Sequence, residues 1–143
     1  MPGQHLIRYI HTKLGGMKKE YMFRILNNGD NKAGLSSEDF KAFLKACEMY
    51  ISVLKENGQL IAAQPLLREG ITISGTAGNF TESPLDMENG LQVGYYHILA
   101  HNLDEAVAIA KQNPEFAYGT KASIEVRPIK MKEVTTGYEY PKG

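Results

Sequence analysis

An apolar stripe at helical spacing over residues 40–54 constrains the fold of this chain more than any other feature. Its members recur at three- and four-residue steps over about five turns, and they are Phe40, Phe43, Leu44, Cys47, Tyr50, Ile51 and Leu54. Ser36 and the acids after it predict the start of the helix, and Gly58 predicts its end in a left-handed cap. Because a helix with one apolar face must cover another layer, the chain needs a partner layer beneath it.

Strand-like segments are available to form that layer. Residues 21–26, Leu91–Ala100 and Ala122–Pro128 are rich in β-branched and aromatic side chains. Residues 59–65 and 69–75 predict two short strands that pair as a hairpin. A polar loop is predicted for residues 76–89, which contain several residues that break regular structure.

A second helix is predicted over residues 103–110, where Asn102 and Glu105 form a capping box. The predicted order is therefore strand, helix, three strands, helix, strand. This order indicates an α+β fold, a ferredoxin-like plait with both helices on one face of a mostly antiparallel sheet. The other sheet face is left open, and we expect a second copy of the chain to cover it in a homodimer.

Length and composition bound the domain organisation and the partners. The 143 residues fit one domain, which we place at 17–130, after an N-terminal extension or expression-derived leader (1–16) and before a C-terminal tail (131–143). Sixteen basic residues balance sixteen acidic ones, so no long-range field favours nucleic acid or an anionic membrane as partner. The single cysteine excludes an internal disulfide and fits a cytoplasmic protein.

His97 is the candidate general acid or base. Strand alternation places it with Val93, Tyr95 and Leu99 on one sheet face, the side opposite to Tyr96. If that face borders a dimer cavity, His97 is a titratable group in an enclosed site, and Tyr95 is a neighbouring ligand contact. The alternative is a hydrogen-bonded structural histidine.

Charged residues on two further strands complete the candidate site. Glu125 and Arg127 alternate with Ile124 and Val126, which we expect under the helices, and Arg24 has the matching position in the first strand. Such a set can bind a carboxylate or a phosphate. It can equally form a network of ion pairs across strands or subunits.

Metal and cofactor sites are not predicted. His97 and His101 are four residues apart on and after a strand, a distance of about 13 Å, whereas two ligands of one zinc ion each lie about 2 Å from it. The glycines around Thr76 lack the strand-to-helix setting of a nucleotide-binding loop. Cys47 lies on the apolar stripe and is interpreted as a core residue.

Several segments together resemble the YCII-related, DGPF-type domains. In this sequence they are Gly94-Tyr95-Tyr96-His97, Leu103-Asp104-Glu105-Ala106, Glu125-Val126-Arg127-Pro128 and Thr76-Ala77-Gly78-Asn79-Phe80-Thr81-Glu82-Ser83. In the last segment Gly78, Phe80 and Glu82 match the family pattern, whereas Ala77 and Asn79 stand where the family has Asp and Pro. The resemblance covers residues 19–129.

The resemblance implies a dimeric α+β barrel in which two ferredoxin-like subunits pack their open sheet faces together. It implies no particular reaction, and it adds Glu82 as a loop acid that can either reach a cavity or cap its own turn. Two function classes follow. One is a protein that binds a small polar or anionic molecule between sheet and loop of the dimer, with or without catalysis, and the other is a non-catalytic dimerisation or regulatory module.

Overall fold

The computed structural model describes residues 17–140. The predicted N-terminal extension, 1–16, and the last residues of the predicted tail, 141–143, lie outside the described residues. The elements are β1 (Lys19–Asn27), α1 (Ser37–Glu56), β2 (Leu60–Pro65), β3 (Ile71–Thr76), β4 (Asn79–Pro84), β5 (Leu91–Ala100), α2 (Leu103–Lys111), α3 (Glu115–Tyr118) and β6 (Ala122–Pro128). No helix within residues 17–140 is both long and apolar enough to cross a membrane.

The main sheet has four strands in the order β2-β5-β1-β6. Each neighbouring pair is antiparallel, and β1 lies between β5 and β6. The fold is therefore α+β, and its strand order is consistent with the predicted ferredoxin-like plait.

Both long helices pack on the same face of this sheet. The core joins one face of β1 and β5 to side chains from α1 and α2, and its buried members are Tyr21, Phe23, Ile25, Leu54, Tyr96, Ile98, Ala100, Ala106 and Ala110. Phe23 and Ile98 are completely buried. The Tyr50 hydroxyl of α1 donates a hydrogen bond of 2.7 Å to the Ile109 carbonyl of α2, so the two helices are also joined to each other.

The helix boundaries confirm the predicted capping. The Ser36 hydroxyl accepts a hydrogen bond from the Asp39 backbone N–H at 3.0 Å, and Asn102 Oδ1 accepts one from the Glu105 N–H at 2.8 Å. Gly58 has a φ of +66°, as a left-handed C-terminal cap requires. Local polar side chains thus satisfy backbone donors that a helix end leaves without partners.

The predicted hairpin of residues 59–65 and 69–75 is wrong. β2 pairs with β5 of the main sheet, whereas β3 pairs with β4, which lies inside the predicted loop. The β3–β4 turn is Ala77–Gly78, and Gly78 has a φ of +82° that glycine adopts without steric cost. The hairpin formed by β3 and β4 is therefore an addition to the four-stranded sheet.

The predicted alternation of β5 also fails at one position. The register of β1 against β5 shifts between Ile25, which faces Gly94, and Leu26, which faces Gln92. Val93 lies between these two partners, and it packs against the core beneath the helices instead of sharing the face of Tyr95. A β-bulge thus moves one apolar side chain to the helix side of the sheet.

Residues 131–140, the described part of the predicted tail, form a small closed turn. An isolated bridge joins Lys132 to Glu139, and the Tyr140 backbone N–H donates to the Met131 carbonyl at 2.7 Å. The Tyr140 hydroxyl also donates to Glu133 at 2.9 Å. This segment is ordered by its own contacts.

Candidate functional site

A pocket of about 620 Å³ lies between α1 and the helix-side face of the sheet. Its helix wall consists of Phe40, Phe43, Leu44, Cys47 and Ile51. Its sheet wall includes Ile25, Ala63, Val93 and Tyr96. A volume of this size falls within the range of about 300–1,000 Å³ that is usual for small-molecule sites.

The pocket exists because only part of the apolar stripe of α1 packs directly on the sheet. In the C-terminal half of the helix, Leu54 is 3% exposed and belongs to the core. Towards the N-terminus, Phe40 is 40% exposed and Leu44 is 51% exposed. The N-terminal half of the stripe therefore lines a partly open space.

Arg68 contributes a cation to the lining of this pocket. The Arg68 guanidinium donates to the Gly29 carbonyl and to the Met87 carbonyl, both at 3.3 Å. These bonds join the loop after β1 to the segment before β5. No carboxylate within residues 17–140 forms a salt bridge with Arg68, and the two carbonyl oxygens are its hydrogen-bond acceptors among these residues.

A nearly buried ion pair stands at another part of the lining. Lys32 Nζ lies 2.7 Å from Glu115 Oε1, and the two side chains are 14% and 10% exposed. The same ammonium group lies 4.9 Å from the centre of the Phe43 ring. Lys32 thus anchors the loop between β1 and α1 to the start of α3.

Two asparagines add polar groups to the lining. Asn27, at the end of β1, is 4% exposed, and its Oδ1 atom is buried without a hydrogen-bond partner among the described residues. Asn113 Oδ1 accepts a hydrogen bond of 2.9 Å from the Glu115 backbone N–H. Since buried polar atoms are normally paired with protein or water, Asn27 offers an acceptor for a bound donor.

The titratable groups that face this side of the sheet lie in a dry environment. Burial, with a smaller contribution from the Glu115 carboxylate, raises the pKa of the Cys47 thiol to about 11. Burial likewise raises the pKa of Tyr96 to about 12 and raises that of Tyr50. In each case the charged form is disfavoured because little water reaches it.

The sequence-predicted site residues lie elsewhere, with one exception. Of those residues, all within the described range, only Tyr95 lines the pocket. His97 lies on the open face, and its Nε2 atom is 2.6 Å from Oε1 of Glu20 on β1. Both side chains are about one-quarter exposed, at 24% and 26%.

Arg24 and Glu125 form an ion pair on the same open face. Arg24 Nη1 donates to Glu125 Oε1 at 2.7 Å, and Arg24 Nε donates to Gln92 Oε1 at 3.1 Å. Arg127 lies opposite Met22 in the β1–β6 register, and no carboxylate within residues 17–140 forms a salt bridge with it. On the open face, Arg24 and Glu125 therefore form an ion pair, as the network interpretation predicts. Arg127, which has no salt bridge among the described residues, fits the anion-binding interpretation.

Glu82 does not share a sheet with the other predicted residues. It lies on β4 opposite Ile73, in the two-stranded sheet. It is exposed, like every residue of β3 and β4. The structure therefore does not bring Glu82 together with His97 or the arginines within one chain.

Sequence reasoning missed Glu20, Lys32, Arg68 and Glu115. Glu20 had a usable signal, because strand alternation puts it on the face of Arg24. Lys32 and Glu115 had none, since they are 83 residues apart in the chain and meet only because the loop before α1 packs against the start of α3. Arg68 was placed in a short connection between two strands, where an arginine is ordinarily a solvated residue.

His97 and Glu20 do not extend into a metal site. Within residues 17–140, no group of three or more His, Cys, Asp or Glu side chains is arranged to hold a metal ion.

Compared with known proteins, the chain matches no family model and no curated protein.

Proposed function

We propose that the protein binds a small, mainly apolar molecule with one polar or anionic group in the pocket between α1 and the sheet. The observation that carries this proposal is the pocket of about 620 Å³ with an apolar stripe as one wall. The sequence instead predicted a small polar or anionic molecule in a cavity between sheet and loop of a dimer, on the open face. We now propose a different site, on the helix side, where Tyr95 is the one predicted ligand contact in the pocket lining, although it lies opposite Arg24 in the β1–β5 register.

Exposed apolar side chains support the apolar part of the ligand. Phe40 and Leu44 remain 40% and 51% exposed although they belong to the helix face that points toward the sheet. A planar or chain-like molecule between them and Val93 would remove this surface from water. The free energy gained by such burial is about 25 cal/mol per Å² of apolar surface.

The rim supports the polar part of the ligand. Arg68 is a cation without a carboxylate partner among the described residues, and a guanidinium binds carboxylates in a bidentate manner. Lys32 is less available, because Glu115 already neutralises it. We therefore assign the anionic end of the ligand to Arg68.

The pocket supports binding more than catalysis. A thiol acts as a nucleophile in its deprotonated form, and burial raises the pKa of Cys47 to about 11. The His97–Glu20 pair, which has the composition of an acid–base dyad, lies on the opposite face of the sheet. No acid–base pair on the open face reaches a molecule bound beneath α1.

Cys47 provides a direct test, because it is the single cysteine of the chain and lines the pocket. Aromatic and medium-chain carboxylates, and their uncharged amides, are screened for slowing the alkylation of Cys47 by iodoacetamide. We expect some carboxylates to protect the thiol and to bind about tenfold more tightly than their amides. A panel in which no compound protects Cys47 contradicts the proposal.

Matched variants separate the pocket from the rest of the surface. Leu44→Trp fills the pocket and is expected to weaken binding at least about tenfold, whereas Met49→Trp, on the same helix but outside the lining, leaves it unchanged. Arg68→Gln is expected to weaken carboxylates and spare amides. An equal loss of affinity for carboxylates and amides would show that Arg68 stabilises the loop and does not bind the ligand.

A second candidate is the non-catalytic dimerisation module. On the open face, Met22, Leu26 and Leu99 are apolar and only partly buried, and the Arg24–Glu125 and His97–Glu20 pairs are already formed within one chain. A surface whose charges are largely paired can be buried against a second copy with little electrostatic cost.

Sedimentation velocity tests the dimer. We expect a concentration-dependent monomer–dimer equilibrium, which Leu99→Asp on the open face shifts to monomer. Val53→Asp, on an exposed position of α1, is the matched control and should leave the equilibrium unchanged. Monomeric wild-type protein at about 50 µM, where a stable dimer would be saturated, contradicts this candidate.

Membership of the YCII-related, DGPF-type family stays a proposal. It rests on the sequence segments that resemble the family, among them Gly94-Tyr95-Tyr96-His97 and Glu125-Val126-Arg127-Pro128. The same sedimentation experiment tests the dimer that the family implies.

A further inference from the structure

The hairpin of β3 and β4 has one apolar face that nothing in the described chain covers. In an antiparallel pair, residues directly opposite each other share a face. Ile71 faces Pro84, Ile73 faces Glu82 and Gly75 faces Phe80. This face, which we call the apolar hairpin face, therefore consists of Ile71, Ile73, Gly75, Phe80, Glu82 and Pro84.

The opposite face of the same hairpin is entirely polar. Its register pairs are Thr72 with Ser83, Ser74 with Thr81 and Thr76 with Asn79. Yet Ile71, Ile73 and Phe80 are 62%, 63% and 64% exposed. A sheet with such a clean division between its faces normally packs its apolar side on something.

Energetics give a second reason to expect a partner. A two-stranded hairpin is at best marginally stable in water unless its apolar face packs on another layer. Both strands are exposed along their whole length within the described chain. The layer that would cover this face therefore lies outside the described residues.

We propose that the apolar hairpin face docks on the open sheet face of a second copy of this chain, with Glu82 paired to Arg127 of that copy. The proposal rests on the dimer candidate above and adds an element that the open face alone does not require. Two-fold symmetry makes the contact reciprocal, so each hairpin covers its partner.

Charge complementarity supports this occupant. Glu82 is the single acid on the apolar hairpin face. On the open sheet face, Glu20 and Glu125 already have partners, whereas Arg127 forms no salt bridge within residues 17–140. Docking thus gives each of two unpaired opposite charges a partner.

Size supports it as well. Strands of six residues are about 20 Å long, and two paired strands are about 10 Å wide. A four-stranded sheet is about 19 Å wide and therefore accommodates the hairpin across its open face. The open face also offers partly buried apolar side chains at Met22, Leu26 and Leu99.

Sedimentation velocity of full-length variants tests the docking. Ile73→Lys on the apolar hairpin face is expected to raise the dimer dissociation constant at least about tenfold. Thr72→Lys, one residue away on the polar face, carries the same new charge and should have no effect. Phe80→Ser tests the same face without adding charge, and circular dichroism checks that each variant is folded.

Charge reversal identifies the partner surface. Glu82→Arg and Arg127→Glu should each weaken the dimer about fivefold, and the double variant should restore it to within about twofold of wild type. Failure of the double variant to restore the dimer overturns the Glu82–Arg127 contact and with it the proposal.

The outcomes separate this proposal from the dimer candidate. If Leu99→Asp gives monomers while Ile73→Lys and Phe80→Ser stay dimeric, the open face forms the dimer and the hairpin does not dock on it. If the wild-type protein is monomeric at every concentration, both proposals fail.

Discussion

The two faces of the four-stranded sheet hold similar kinds of side chain under different conditions. The helix side contains the Lys32–Glu115 pair, whose side chains are 14% and 10% exposed. The open side contains the Arg24–Glu125 pair, whose side chains are 37% and 46% exposed. Both pairs are 2.7 Å long, so geometry alone does not distinguish them.

What distinguishes the two pairs is the surrounding water. On the helix side, burial raises the pKa values of Cys47 and Tyr96 to about 11 and about 12, which marks a region where charge is costly. On the open side, water screens each charge, and an ion pair contributes little to stability. The helix side can therefore select a ligand, whereas the open side stays adaptable until a partner covers it.

The largest expected difference between the faces concerns Phe23 and Met22, neighbours on β1 that point to opposite sides. Phe23 is fully buried beneath the helices, so Phe23→Ala should lower the free energy of unfolding by about 3–5 kcal/mol. Met22→Ala, on the open side, should cost less than about 1 kcal/mol in the monomer. Urea unfolding monitored by circular dichroism measures both.

The same experiment at two protein concentrations sharpens the comparison. If the open face is buried in a dimer, the loss for Met22→Ala grows with protein concentration, while the loss for Phe23→Ala within one subunit persists throughout. Equal losses for the two variants at low concentration would mean that the faces are not distinct.

The two ion pairs give the next largest effect. Glu115→Gln leaves the Lys32 ammonium nearly buried without its counter-charge, so we expect a loss of about 3 kcal/mol. Glu125→Gln removes the equivalent partner of Arg24 on the open side and should cost less than about 1 kcal/mol. Thermal and urea unfolding of both variants measure the loss of unfolding free energy. Similar losses for Glu115→Gln and Glu125→Gln would show that the two ion pairs contribute equally to stability.

The sequence was sufficient for features that depend on local pattern. The apolar stripe of α1, the Ser36 and Asn102 caps and the left-handed Gly58 all follow from residues a few positions apart. The α+β class followed from the order of such elements. These predictions succeed because helix periodicity and capping are short-range effects.

Features that depend on pairing between distant segments were not predictable in the same way. The strand over residues 71–76 has the composition to pair with either neighbour, and only the turn at Gly78 decides for β4. The pocket depends on how far α1 extends beyond the sheet, and the Lys32–Glu115 pair depends on a loop that packs against the start of α3. The bulge that turns Val93 inward is likewise a property of register between strands.

The smallest expected effect is the pH dependence that burial gives to Cys47. Its ordinary pKa is 9.0 and its folded value is about 11, so the unfolded chain loses the thiol proton first as pH rises. The contribution to stability is therefore complete below pH 9.0 and is lost as pH approaches the folded value. The free energy of unfolding of wild type minus that of Cys47→Ala should begin to fall near pH 9.0 and continue to fall until about pH 11. Tyr96 titrates in part of the same interval, with an ordinary pKa of 10.0 and a folded value of about 12, but it is present in both proteins and therefore largely cancels in the difference. A difference that stays constant over the interval would show that water reaches Cys47 freely, and that the helix side is as wet as the open side.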